Sequence, residues 1–235
     1  MPSLRVILVE PENAINVGSI ARAMKNFGFE KLYLVSPVFD SFDKAYAAAM
    51  RARDVLERAR VVTTLQEAVE GAHIVVGTTA KPGGASSILR QTIPLREFVS
   101  NLRWDAEYAI VFGRESTGLT NSELAFCDVI ITIPASREYP TLNLANAAAI
   151  VLYEFRMAIE SGGMEVRPPG RKTLEIMLKY VDDILVRVDL PQHKKRRLSL
   201  MARRVAGRVF PCGLTEEEVL YVLGVLRRIR DMLCG

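Results

Sequence analysis

Through its first 155 residues the chain repeats one pattern: a short apolar run, a turn signal, then a stretch with helical spacing. The runs are RVILVE (5–10), KLYLVSP (31–37), RVVTT (60–64), HIVVGTTA (73–80), YAIVFG (108–113) and VIITIP (129–134). They are short and rich in β-branched residues, as strands buried on both faces are. Between them the spacing predicts a helix around 17–28, another over AYAAAMRARDVLERA (45–59), and another over LQEAVEGA (65–72), closed by Gly71. A long alanine-rich helix is expected over LNLANAAAIVLYEFRMAIE (142–160). Strands alternating with helices predict an α/β fold, a mostly parallel sheet with helices on both faces.

The segment SGGMEVRPPGRK (161–172) gathers glycines, prolines and polar residues, and is read as a linker. It separates a domain over 1–160 from three helical patterns in 173–235. The last of these opens with Thr215 and Glu218 at capping-box spacing. Charge divides the same way. Residues 1–170 carry 17 Lys/Arg against 19 Asp/Glu, a net of −2, and residues 171–235 carry 14 against 8, a net of +6. A near-neutral body with a basic helical extension suits a nucleic-acid partner, although a solvated basic helix face gives the same count. Lys194, Lys195, Arg196, Arg197, Arg203, Arg204 and Arg208 fall on one of these helices. Spacings of seven and four put Arg197, Arg204 and Arg208 on one face, where they are expected to grip phosphates.

Several function classes lack their signatures. No Gly-x-Gly-x-x-Gly follows the first strand, and TTAKPGGASS (78–87) lacks the Gly-Lys-Thr/Ser of a phosphate-binding loop. Three scattered cysteines and two histidines give neither a disulfide framework nor a metal-ligand pattern, so no metal is expected. No apolar run is long enough to cross a bilayer, and the N-terminus leads directly into a strand, so a cytoplasmic protein is expected. His73, ahead of an apolar strand, reads as a satisfied edge residue.

Three segments remain that can carry chemistry, each at the carboxyl end of a strand, where sheets of this class bind ligands. The first, VEPENAINVGSIARAMKNFGF (9–29), offers Asn13, Asn16 and Arg22, and a helix start near Ser19 whose N–H groups could meet an anion. The second, IVFGRESTGLTNSEL (110–124), places Gly113, Arg114 and Glu115 directly after a strand. The third, VIITIPASREYPTLNLANAAAIVLYEF (129–155), runs through a polar loop to Thr141, read as an N-cap, with Asn143 in the first helical turn.

Together these segments resemble the motifs of the SPOUT-class, TrmH-like RNA ribose methyltransferases, and most closely the TrmJ family of tRNA methyltransferases. The similarity lies in NAINVGSIARAMKNFGF, LVSP, VVGTTA, IVFGRESTGLTNSELAFCD and IPASREYPTLNLANAAAIVLYEF, in order across residues 6–156. The resemblance implies a trefoil-knotted sheet, a homodimer, S-adenosylmethionine as cofactor, and 2′-O-methylation of a tRNA ribose at nucleotide 32. An rRNA substrate, or an RNA-binding protein without catalysis, is the alternative. It assigns catalytic roles to Asn16, Arg22, Glu115, Thr141 and Asn143. Cofactor contacts are implied at Thr78, Thr79, Ala80, Gly113, Ile133, Thr141 and Leu142, and an RNA contact is expected at Arg114. Relatives usually carry Ser-Leu-Asn where this chain has Thr141-Leu142-Asn143, which keeps the hydroxyl and adds a methyl.

Overall fold

The structure, a computed structural model, describes residues 3–83, 91–102, 106–161, 170–212 and 215–234. The six sequence runs form strands β1 (Ser3–Val9), β2 (Lys31–Val35), β3 (Arg60–Val62), β4 (Ile74–Thr78), β6 (Glu107–Phe112) and β7 (Val129–Thr132). A two-residue strand, β5 (Ile93–Pro94), completes a sheet of order β3-β2-β1-β6-β4-β7-β5 in which every pairing is parallel. The expected α/β class is what the chain adopts.

Alternate residues of each strand face opposite layers. Val6 and Leu8 pack into a large core with α1 (Ala14–Asn26), α2 (Asp43–Ala49), α5 (Leu95–Val99) and α7 (Leu144–Glu160). Ile7 and Val9 face the opposite layer, with α4 (Leu65–Val69) and α6 (Asn121–Phe126). Burying such aliphatic side chains contributes about 1.5–3 kcal/mol each. His73 sits where the reading put it, its Nδ1 accepting the Glu107 N–H at 3.0 Å.

Three expectations about helices need correction. The first helix begins at Ala14, with Asn13 as its cap through a side-chain oxygen that accepts the Ile15 N–H. Ser19 to Arg22 therefore lie inside the helix, where their N–H groups serve helical bonds and none is open to an anion. The 45–59 stretch is broken: α2 ends at Ala49, Met50 takes φ 52°, a 3₁₀ turn spans Met50–Ala52, and α3 covers Arg53–Glu57. Gly18 of α1 explains the tight seating of α2, since a Cβ there would lie 2.1 Å from the Ala45 carbonyl oxygen. The third correction concerns α7, which is capped by Asn143 in place of Thr141: its Oδ1 accepts from Ala145 N at 2.8 Å and Asn146 N at 3.4 Å.

The basic extension consists of α8 (Arg171–Arg187), α9 (Gln192–Cys212) and α10 (Glu216–Cys234). Its first helix starts inside the segment read as linker, most of which (162–169) lies outside the described residues. Thr215 and Glu218 form the expected capping box, with Thr215 Oγ1 accepting from Glu218 N and the Glu218 carboxylate from Thr215 N. Among the described residues no helix is long and apolar enough to cross a membrane.

Candidate active site

Parallel strands deliver their following loops to one edge, and here β4, β6 and β7 open a cavity of about 450 Å³. Its walls are Thr78–Lys81 after β4, Phe112–Leu119 after β6, and Ile131, Ile133 and Tyr139–Leu144 after β7, with Ala147 of α7. Thr78, Thr79, Ala80, Gly113, Ile133, Thr141 and Leu142, singled out above for a cofactor, all line it. The walls are tied together at their roots: Thr78 Oγ1 donates to Val111 O at 3.0 Å, and Thr79 N to Ile131 O at 3.1 Å. Gly113 is required by close approach, because a Cβ would meet the Gly118 and Leu119 backbone at 2.2–2.5 Å.

A hydrogen-bonded chain joins the loops beside this cavity. Asn16, 8% exposed, donates from Nδ2 to Glu115 Oε1 at 2.9 Å, and its Oδ1 accepts from Asn143 Nδ2 at 3.3 Å. The three residues come from α1, the loop after β6, and the cap of α7, with Asn16 more than ninety positions from each of its two partners in sequence. Glu115 also accepts the N–H groups of Glu12 at 2.9 Å and Asn13 at 3.1 Å. Glu12 returns the contact, accepting from Ser116 N at 3.0 Å and Ser116 Oγ at 2.5 Å. Glu115 therefore holds the first loop, through its backbone N–H groups and through Asn16. Glu12 was missed, since an exposed glutamate in a loop carries no local signal.

Arg114 does not reach outward. Its guanidinium meets Glu10 at 2.8–2.9 Å and Glu123 at 3.1 Å, with Gly118 O at 3.4 Å. Hydrogen bonds to both carboxylates raise its already high pKa. A guanidinium so committed has no donor fork left for a phosphate, so the expected RNA contact at Arg114 is withdrawn. Glu10 is aimed at it by a left-handed turn (φ 44°) directly after β1, a conformation that costs a non-glycine residue roughly 1 kcal/mol or more. Arg22 is exposed on α1 and is not among the residues lining the cavity of its own chain.

The basic helix α9 is divided by burial. Lys194, Arg196 and Arg197 are exposed, and Lys195 Nζ donates to Val186 O at 2.8 Å. Arg204 is only 2% exposed and donates to Cys127 O and Leu124 O at 3.0 and 2.7 Å, so it cannot grip a phosphate. Arg203 binds Asp128 at 3.3 Å, which also turns it inward. The side chain of Arg208 lies outside the described residues.

The chain that builds this cavity is similar to proteins of known sequence and structure. The tRNA (cytidine-2′-O-)-methyltransferase TrmJ of Methanocaldococcus jannaschii is 34% identical, over 89% of this chain and 94% of that protein. The tRNA (cytidine/uridine/adenosine-2′-O-)-methyltransferase TrmJ of Pseudomonas aeruginosa is 34% identical over 99% and 95%. The crystal structure of TrmJ from Z. mobilis aligns with a TM-score of 0.73 at 28% identity, covering 97% of this chain and 99% of that one. The sequence profile of the SpoU rRNA Methylase family matches residues 3–153, which contain all three loops and every residue of the Asn16–Glu115–Asn143 chain. With the walls and the linked side chains both inside that span, the chain belongs to the SpoU methylase family.

Proposed function

We propose that this protein transfers a methyl group from S-adenosylmethionine to a ribose 2′-hydroxyl of tRNA, at nucleotide 32 of the anticodon loop. The observation that carries the reading is the cavity joined to the Asn16–Glu115–Asn143 chain, with a basic helical extension on the same polypeptide. The tRNA methyltransferases of M. jannaschii and P. aeruginosa match the extension as well as the body, which favours tRNA over the rRNA of the family's name. We place the reaction in the cytoplasm on the strength of that substrate.

The cavity suits S-adenosylmethionine. Its walls combine apolar contacts from Ile131, Ile133, Leu142 and Leu144 with backbone polar groups around Gly113 and Thr78–Ala80. The cofactor supplies a sulfonium methyl that is already activated, so the protein's task is positioning and charge stabilisation. As the 2′-oxygen takes the methyl, its proton must leave. Arg22 is not the acceptor, because a guanidinium is effectively never deprotonated in proteins. It clamps the target phosphate and stabilises the developing alkoxide, while a phosphate oxygen or water takes the proton. Asn143, Thr141 and Asn16 orient the ribose and the loops, and Glu115 keeps Asn16 in register. Lys194, Lys195, Arg196 and Arg197 grip tRNA phosphates.

The homodimer belongs to the same proposal. Ile150, Tyr153 and Met157 form an exposed apolar stripe on α7, and Ile15 of α1 is exposed as well. Pairing these faces across a two-fold axis covers them and brings Arg22 toward the partner's cavity. The trefoil knot is proposed with it, supported by a sheet order in which β6 lies between β1 and β4 and β7 crosses to the far side of β4.

Mass spectrometry of nucleosides from tRNA and rRNA pools incubated with protein and S-adenosylmethionine tests the reading. A 2′-O-methylated nucleotide 32 in tRNA is expected. Methylation of rRNA alone overturns the substrate, and calorimetric binding of S-adenosylmethionine without any methylation overturns catalysis. Arg22→Lys is expected to lose at least tenfold in kcat/KM, because an ammonium lacks the two-pronged fork. A full rate in that variant removes the clamp.

A further inference from the structure

The extension and the catalytic body meet around a buried carboxylate, beside the bonds that Arg204 gives to Leu124 O and Cys127 O. Asp128, 0% exposed, precedes β7, and its own N–H donates to Val75 O at 2.8 Å. Its Oδ2 accepts from Val75 N at 2.8 Å and from Arg171 of α8 at 2.8 Å, and its Oδ1 accepts from Arg203 of α9 at 3.3 Å. One turn further, Gly207 lies so close that a Cβ would stand 2.3 Å from the Asp128 carbonyl oxygen. Two helices of the extension therefore converge on a single residue at the entry to β7.

Apolar packing does not do this job. Leu174, Leu178, Ala206, Val219 and Leu223 form a small core of their own, and all of its described members belong to α8, α9 and α10. An apolar contact can slide; a buried carboxylate shared by two guanidinium groups has one geometry that satisfies it. Buried ion pairs are weak sources of stability, and their best-attested use is to fix register.

The position matters for the reaction proposed above. Asp128 leads into β7, and β7 runs straight into the Ile133–Asn143 wall of the cavity. Arg197 stands six residues before Arg203 on α9, roughly 9 Å along the helix axis. The exposed cations and the cavity wall are thus the two ends of one rigid connection through Asp128. We infer that Asp128 is a positioning residue for tRNA methylation: by holding Arg171 and Arg203 it sets the angle of the basic extension, so that phosphates gripped on α9 present their ribose to the cavity.

This inference rests on the tRNA methyltransferase reading, and the full-length protein tests both apart. In the first arm, unaltered protein methylates tRNA; if it does not, the reading fails and the positioning role with it. In the second, Asp128→Asn and Arg203→Gln are compared with it for S-adenosylmethionine affinity, salt dependence of tRNA binding, and single-turnover methylation. Both variants are expected to bind S-adenosylmethionine within about twofold of normal and to keep the salt slope, since the phosphate-gripping cations remain. Single-turnover methylation is expected to fall at least tenfold in Asp128→Asn and by less in Arg203→Gln. The double variant should be no slower than Asp128→Asn alone, because the residues act as one unit. An unchanged single-turnover rate in folded Asp128→Asn overturns the inference. Should that variant fail to fold, an unchanged rate in Arg203→Gln overturns it equally.

Discussion

Asn16 is the side chain through which the first loop reaches both the second and the third. Its amide donates to Glu115 and its oxygen accepts from Asn143 at a site where it is 8% exposed. Asn16→Ala leaves both partners short of a bond, at a cost of about 1–3 kcal/mol for polar groups left unsatisfied. A fall of several degrees in Tm is expected, together with at least a tenfold loss of methylation. Asn16→Asp tests the chemistry further, since a second carboxylate would face Glu115 and repel it. At Glu123, burial alone would raise the carboxyl pKa, but hydrogen bonds from Arg114 and the Thr120 backbone outweigh it and hold the carboxyl below its usual range. A depressed folded pKa gives stability that is present above the unfolded value, near 4.5, and lost as pH falls through the folded one. Wild type should therefore exceed Glu123→Gln in Tm at neutral pH. The gap should narrow as pH falls below about 4.5 and through the depressed folded value, as thermal melts across acidic pH would show. A gap that stays constant would mean that Arg114 takes its support from Glu10 alone.

At the level of elements, the contact of α1 with α2 runs through a glycine that sequence periodicity does not flag. Gly18→Ala would place a methyl 2.1 Å from the Ala45 carbonyl oxygen and 2.8 Å from the Ala48 Cβ. The helices must then part, and overpacking of this kind costs about 1–3 kcal/mol. Because Asn16 lies half a turn earlier on α1, methylation should fall with stability, whereas a surface change on α1 such as Lys25→Ala should lower neither by much. The six longer strands were legible because runs such as RVILVE have no other use than burial. The helix break at Met50 was not, because 45–59 keeps its apolar spacing while the chain turns to seat α2 on α1. β5 is two residues long, below what periodicity can register. The α7 cap was misplaced by two positions because Thr141 and Asn143 are both good caps, and what identifies Asn143 is its Oδ1, which accepts from Ala145 N and Asn146 N in the fold. The basic face of α9 misled for a related reason. Spacing assigns Arg197 and Arg204 to one side, but Leu124 and Cys127, nearly eighty residues earlier, decide that Arg204 is buried. For the site, the loops and most of the cavity lining could be read from the motifs, while the clasp by Glu12 and Ser116 depends on tertiary contact alone.

For the whole molecule, the role proposed for Arg22 calls for a second copy of the chain, because α1 carries it on an exposed face and it does not line the cavity of its own chain. One polypeptide supplies the walls and the Asn16 link, and a two-fold partner can supply the cation. The apolar stripe argues for the geometry: Ile150, Tyr153 and Met157 are spaced three and four apart on α7, are 37–47% exposed, and stand beside α1. Tyr153 already packs edge-on against Phe27 at the end of α1, with ring centroids 6.0 Å apart, so a change at Tyr153 would also disturb its own chain. Met157→Glu is the cleaner probe, since it places a charge in the proposed seam where a desolvated carboxylate would have no partner. Sedimentation should show Met157→Glu shifted from dimer to monomer at micromolar concentration. Methylation should fall with the dimer fraction, while helix content by circular dichroism stays unchanged. Mixing Arg22→Ala protein with Asn143→Ala protein then decides between the two arrangements. If Arg22 serves the partner's cavity, a mixed dimer has one cavity built with both intact residues, and activity should return to about a quarter of wild type at equal mixing. If each chain used its own Arg22, every cavity would lack one residue and no activity would return.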